Sequence, residues 1–242
     1  MNFNDFNTII TSVFGDIEPS VLEKFRMMET LYKEWNSKIN VISRKDIDSL
    51  YLHHVLHSLA IAAFMKETMP ETFESMRKGN SGNEENGTND AEKSRKISIL
   101  DLGTGGGFPG IPLATLFPNA SFTLCDSIGK KITVASAVAQ SLGLENVTTV
   151  NARAESLDKD FDLIVSRAVT SLDNFMPWVK GKYKNGIIYL KGGDINEELA
   201  SACAKKLLKL DKVQVHSISK WFKDEYFNEK LIIFIENNLQ LN

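Results

Sequence analysis

The stretch ILDLGTGGGFPGIPLA, residues 99–114, sets five glycines and two prolines between two apolar runs. An apolar segment that ends in Asp101, meets Gly103, Gly105 and Gly107 at once and then resumes a helical pattern reads as strand, tight turn, helix. Glycines at these positions let the main chain turn sharply and put no Cβ between it and a ligand. In a doubly wound sheet such a turn lies at the carboxyl end of its strand, which is where ligands bind.

Outward from this turn, apolar runs alternate with helical patterns. ISIL, SFTLCD, VTTVNA, FDLIVS and GIIYLK are rich in Ile, Val and Leu and read as buried strands. Between them, GIPLATLF, KKITVASAVAQSLGL and DNFMPWVKGKY read as helices, and NEELASACAKKLLKL as one more after the last strand. This alternation predicts an α/β fold with a mostly parallel, doubly wound sheet. The tail breaks the pattern: KVQVHSIS and EKLIIFIEN predict an antiparallel hairpin at one edge. Upstream, Val21, Leu22, Phe25, Met28, Leu31, Tyr32 and Trp35 recur at three- and four-residue steps behind Pro19-Ser20. With LYLHHVLHSLAIAAFM they predict an N-terminal helical cap. Residues 77–96 hold one alanine as their sole apolar member. Such a segment buries too little to offset its ordering entropy and is expected to be a disordered surface loop. The expected division is a cap over 1–76, this insert over 77–96 and the ligand-binding core over 97–242.

Composition narrows the class. No apolar run approaches the roughly 18–20 residues a bilayer span needs, and the N-terminus lacks the pattern of a secretory signal, so a cytoplasmic protein is expected. Cys125 and Cys203 make neither a disulfide framework nor a metal quartet. The net charge of −3 excludes a basic coat, yet the charge is uneven, net +3 from Met176 onward against −6 before it. A local basic surface for nucleic acid is therefore compatible with an acidic chain. No long exposed apolar stripe calls for a partner copy, and a monomer is expected.

The glycine turn discriminates among ligands. A Walker loop closes on Gly-Lys-Ser or Gly-Lys-Thr, whereas Phe108-Pro109 follow Gly107 here, so a nucleoside triphosphate is not expected. A dinucleotide fingerprint fits only as Gly105-x-Gly107-x-x-Gly110, set four residues beyond Asp101 with Pro109 inside it. The register acidic-x-Gly-x-Gly-x-Gly, met by Asp101, Gly103, Gly105 and Gly107, is similar to that of S-adenosylmethionine-dependent methyltransferases. Asp126 ends the second strand, placed for a carboxylate to accept from ribose hydroxyls. Ala154 and Glu155 follow the third strand, where they can read an adenine edge, and Arg167 ends the fourth.

Together with WNSKINVISRKD (35–46), HHVLHSLA (53–60), CDSIGKK (125–131), NARAESL (151–157) and VSRAVTSL (165–172), the glycine segment resembles the RsmG family, also called GidB. The likeness runs from about Leu31 to the final hairpin and departs at the polar insert. It implies a Rossmann-like class I methyltransferase fold, S-adenosyl-L-methionine as cofactor with S-adenosyl-L-homocysteine as product, and methylation of a guanine N7 in 16S rRNA of the small ribosomal subunit. It further implies that Gly103, Phe108, Ala154, Glu155 and Arg167 line the cofactor pocket. A methyltransferase for another RNA site or a small molecule, and a non-catalytic RNA-binding assembly factor, are the rival readings.

Guanine N7 carries an exposed lone pair, so no proton has to leave before attack and no catalytic base is required. The sequence has neither the Asn/Asp-Pro-Pro-Tyr/Phe motif of amino-group methylases nor a Pro-Cys nucleophile. The site has to orient more than neutralise, and Arg167, with its planar donor fork, is the orienting candidate. His53, His54 and His57 invite a metal reading, but a helix puts His53 and His57 on one face with no third ligand nearby, and no metal is expected. Arg44, His54, Arg153 and Lys191 are candidates for the RNA-facing rim.

Overall fold

The structure, a computed structural model, describes residues 1–78, 95–167 and 169–237. Among these residues seven strands form one sheet: β1 (Ser98–Leu102), β2 (Ser121–Asp126), β3 (Val147–Asn151), β4 (Phe161–Arg167), β5 (Tyr183–Gly192), β6 (Val213–Ser217) and β7 (Lys230–Glu236). Their order is β3-β2-β1-β4-β5-β7-β6. The first five run parallel, whereas β7 pairs antiparallel to both β5 and β6. The hairpin expected at one edge is present, with β7 inside and β6 outermost. The register places Asp101 beside Leu124 on β2 and Val165 on β4, so the carboxyl ends of β1, β2 and β4 open at one level.

Among the described residues eight α-helices flank the sheet: α1 (Phe3–Phe14), α2 (Pro19–Lys38), α3 (His57–Thr68), α4 (Pro70–Lys78), α5 (Gly110–Leu116), α6 (Gly129–Ser141), α7 (Leu172–Val179) and α8 (Asn196–Ala204). Helix α1 starts in a capping box, with the Asn2 side chain accepting from Asp5 N at 3.0 Å and the Asp5 carboxylate from Asn2 N at 3.4 Å. Helix α2 buries Phe25, Met28 and Tyr32, the three- and four-residue stripe of the sequence. The four N-terminal helices bury Phe6, Phe25, Leu59 and Phe73 in one continuous core with Phe122, Ile188 and Phe234 of the sheet. A second apolar layer, containing Leu100, Phe161, Phe175, Tyr189 and Leu199, covers the opposite face. Among the described residues no helix is long and apolar enough to cross a membrane.

Three segments differ from expectation. Residues 50–56, expected as ordinary helix, form a π-helical turn (Leu50–Leu56) that runs into α3. Helix α7 stops at Val179, because β5 already begins at Tyr183. Helix α8 stops at Ala204 although the helical pattern continues, because Lys206 adopts φ +55°. Leu207 N then bonds Ala202 O and Lys206 N bonds Cys203 O, the two bonds of a Schellman cap that glycine ordinarily signals. The polar insert lies largely outside the described residues. At its near end Arg77 belongs to α4 and donates to Phe14 O at 2.7 Å; at its far end Arg95 forks onto Asp162 at 2.6 and 2.8 Å.

Candidate active site

The glycine elbow is built around Asp101. Its Oδ2 accepts from the Thr104 hydroxyl at 2.5 Å and from Gly110 N at 2.7 Å, so one buried carboxylate ties the start of the turn to the first residue of α5. Gly103 N and Thr104 N donate to Cys125 O on β2. Gly105 N donates to Asp126 Oδ2 at 2.9 Å, and Ile128 N to Asp126 Oδ1 at 2.8 Å. Gly103, Gly105 and Gly107 all have positive φ, at +73°, +57° and +110°. The cap buttresses the elbow from behind. Asn36 at the end of α2 accepts from Val41 N and Ile42 N, which turns Val41 onto Gly106, and Tyr32 donates to Gly106 O at 3.0 Å.

Gly103 and Gly105 respond differently to a methyl group. A Cβ on Gly103 would lie 2.4 Å from a Val169 methyl, whereas one on Gly105 would meet nothing within 4 Å. Gly103→Ala is therefore expected to cost about 2–4 kcal/mol from left-handed strain plus overpacking. Gly105→Ala carries only the strain, about 1–2 kcal/mol. Urea midpoints of the two variants check the ordering.

Beside the elbow lies a cleft of about 510 Å³. Gly103, Asp126, Arg153, Ala154, Glu155 and Arg167 all line it, so six of the sequence candidates come together. Ala154 and Glu155 sit in a short 3-10 turn, Ala154–Ser156, fastened near β2 by Asn151, whose amide donates to Asp126 O at 2.9 Å. Phe108 lies behind the cleft wall: its ring meets Tyr32 at 4.6 Å and His54 at 5.1 Å, and the Arg167 guanidinium stands 5.3 Å above it. Sequence reasoning missed Ile128, Lys131, Val169 and Trp178, which also line it. The only signal for Ile128, Lys131 and Val169 was position, just past the ends of β2 and β4, and Trp178 is brought in by the last turn of α7.

The remaining candidates are dispersed. Arg44 borders a separate concavity with Lys33, Lys38 and Asp48. His54 is turned inward, its Nδ1 3.0 Å from Arg167 Nη2. Since the guanidinium only donates, Nδ1 is the acceptor and Nε2 carries the proton; burial, reinforced by Arg167, pushes the imidazole down to about 3. His53 pairs with Asp46 and stacks on Tyr226, and His57 contacts the Tyr226 hydroxyl, so the two share a face against Tyr226. Lys191 does not reach the rim: its ammonium is held by Glu198 at 2.7 Å, with its side chain 11 % exposed.

Two features fit a charged nucleoside. Asp101 Oδ1 is buried without a hydrogen-bond partner among the described residues, and burial pushes this carboxyl up to about 7, an acid set for a cationic donor. Open space lies over the elbow crest at Gly105.

The doubly wound sheet, the side-chain-free elbow and the acids closing β1 and β2 define an S-adenosylmethionine-dependent methyltransferase of Rossmann-like fold. A family model described as rRNA small subunit methyltransferase G matches residues 87–228. The chain belongs to that family. Proteins named ribosomal RNA small subunit methyltransferase G from Christiangramia forsetii and Flavobacterium psychrophilum are 42 % and 44 % identical to it, over 94 % of this chain and 95 % and 97 % of theirs. In fold it is similar to a magnesium protoporphyrin IX methyltransferase from Synechocystis with bound S-adenosylmethionine (TM-score 0.56, 10 % identity, 92 % of this chain and 99 % of that one).

Proposed function

We propose that the protein methylates N7 of a guanine in 16S rRNA of the small ribosomal subunit. The observation that carries this reading is the likeness, over nearly the whole chain, to relatives named for methylation of small-subunit ribosomal RNA. We assign the cofactor's nucleoside to Asp126, Ala154 and Glu155 and its amino-acid end to the elbow and Asp101. When bound, it supplies an electrophilic methyl group on a sulfonium.

The chain's own residues bind and orient. Each Asp126 oxygen already accepts one backbone N–H and keeps a lone pair for a ribose hydroxyl. Arg167, fixed by two hydrogen bonds and seated over Phe108, presents a rigid cation where β4 ends. Cys125 is unsuited to be a nucleophile: burial pushes its thiol up to about 11 and its Sγ donates to Ala152 O. An acceptor nitrogen with a free lone pair needs neither a base nor a covalent catalyst. The proposal is for a cytoplasmic monomer that requires no metal ion.

Incubation with methyl-labelled S-adenosylmethionine and small ribosomal subunits, followed by mapping of the label, tests it. Label at one guanine N7 of 16S rRNA is expected. Label elsewhere, or none with fully folded protein, rejects the reading. Subunit binding is expected to weaken steeply with added salt, since phosphate contacts release counterions.

A further inference from the structure

The segment that follows β4 is fastened by three side chains from other elements. Tyr189, fully buried in β5, accepts from Val169 N at 3.2 Å and Thr170 N at 3.1 Å through its hydroxyl and donates to Thr170 O at 2.8 Å. Its ring stacks on Phe175 of α7 at 4.7 Å, which fixes where the hydroxyl points. Lys191, two residues on and on the same face of β5, donates to Thr170 O at 2.8 Å and to Glu198 of α8. Glu198 in turn accepts from Leu172 N at 3.0 Å, at the start of α7. Backbone groups of a connection usually face water; here those of 169–172 are held from below.

The strand order gives this segment its importance. Asp126, which closes β2, and Glu155, in the turn after β3, lie on one side of β1, and β4 flanks β1 on the other. On the proposed function, the reacting end of the cofactor then lies over the β1–β4 border, where the acceptor base has to enter beside Arg167 and residues 169–172. Val169 also packs directly on Gly103 of the elbow, so a shift of the segment is felt at the cofactor.

We propose that Tyr189, Lys191 and Glu198 form a brace that fixes residues 169–172 at the methyl-transfer site, as positioning residues and not RNA contacts. Lys191 thereby loses the phosphate role its charge suggested: a lysine at a nucleic-acid surface is displayed to solvent, whereas this one bridges a carboxylate and a carbonyl.

Two full-length variants test the brace. Tyr189→Phe keeps the ring on Phe175 and removes the hydroxyl; Lys191→Met keeps the aliphatic stem and removes the ammonium. With cofactor and subunits saturating, each is expected to lower the single-turnover rate about ten- to a hundred-fold, the scale of a small misplacement. The KM for subunits and the salt slope of binding are expected to stay at wild-type values. Amide exchange at Val169 and Thr170 is expected to quicken at least about ten-fold in Tyr189→Phe. A Lys191→Met protein that transfers methyl at the wild-type rate but binds subunits more weakly, with a salt slope smaller by about one, makes Lys191 a phosphate contact and overturns the proposal. Unchanged exchange in Tyr189→Phe overturns it whatever the substrate proves to be. Failure of the wild-type protein to label subunits, with exchange behaving as expected, counts against the proposed function and leaves the brace standing. If Tyr189→Phe does not fold, the rate and salt slope of Lys191→Met decide.

Discussion

Replacement of Arg167 by alanine is expected to lower the single-turnover rate by 10²–10³-fold, on the order of what removal of one preorganised donor costs, while the chain stays folded. The Arg167 side chain is half-buried. It donates to His53 O at 3.2 Å and to His54 Nδ1 at 3.0 Å, stands over Phe108 and still borders the cofactor cleft. It joins the π-helical turn of the cap to the end of β4, so its loss both removes a cation from the site and unseats the turn. The fold itself has a reserve: His53 O also accepts from the Tyr226 hydroxyl at 3.3 Å, which leaves His54 Nδ1 as the one stranded acceptor, at about 1–3 kcal/mol. Arg167→Lys is expected to rescue little, because a single ammonium does not reproduce the planar fork. The variant has its own spectroscopic signature. Burial is the larger cause of the low His54 value and Arg167 the second, so the imidazole pKa is expected to rise from about 3 without regaining its ordinary value. Quenched-flow transfer assays and histidine NMR titration measure the two effects. Full transfer activity in Arg167→Ala excludes an orienting role.

The parallel sheet was legible because its central strands β1, β4 and β5 are buried on both faces and carry runs of Ile, Val and Leu, whereas β3 at the edge is largely half-buried or exposed. The elbow was legible because positive φ at three alternate positions demands glycine. What escaped the sequence depended on partners far along the chain. Nothing in LYLHHVL distinguishes a π turn from an α-helix; its His53 carbonyl accepts from Arg167 and Tyr226, 114 and 173 residues away. Tyr189 reads as one more core aromatic of a strand, since a hydroxyl's three bonds to a distant connection leave no periodic mark. Lys191 reads as a candidate RNA contact until α8 brings Glu198 against it. The Schellman cap after α8 was hidden because a lysine occupies the left-handed position. Of the six residues that meet at the cleft, all stand at or just after strand ends, where topology alone directs attention. Those that brace it are drawn from β5, from α8 and from the cap.

Asp101→Asn is expected to stabilise the free protein above neutral pH and to weaken cofactor binding by about a hundred-fold. Burial is the first cause of the elevated carboxyl, opposed by the Thr104 and Gly110 hydrogen bonds. A rise from 3.8 to about 7 corresponds to roughly 4 kcal/mol at 1.36 kcal/mol per unit. The sign follows from proton linkage. Between these values the unfolded chain is ionised at this residue while the folded one keeps its proton, so the wild-type fold loses stability as pH rises from about 4 to about 7 and is level beyond. Asparagine carries no such cost, and its oxygen can take over the bonds from Thr104 and Gly110, with the amide at the unpartnered position stranded at about 1–3 kcal/mol. The net gain is expected to be about 1–3 kcal/mol at pH 8 and to vanish or reverse near pH 5. His54 and His57, both held neutral by burial, contribute the opposite slope in both proteins and cancel in the difference. Binding moves the other way. The cofactor's ammonium loses an ionised partner inside the protein, and removal of one member of a buried charge pair costs about 2–5 kcal/mol. Urea unfolding at pH 5 and pH 8, with calorimetry of S-adenosylhomocysteine binding, measures both. A variant that gains stability at high pH and still binds the nucleoside at wild-type affinity removes Asp101 from the cofactor site and leaves it only the closing of the elbow.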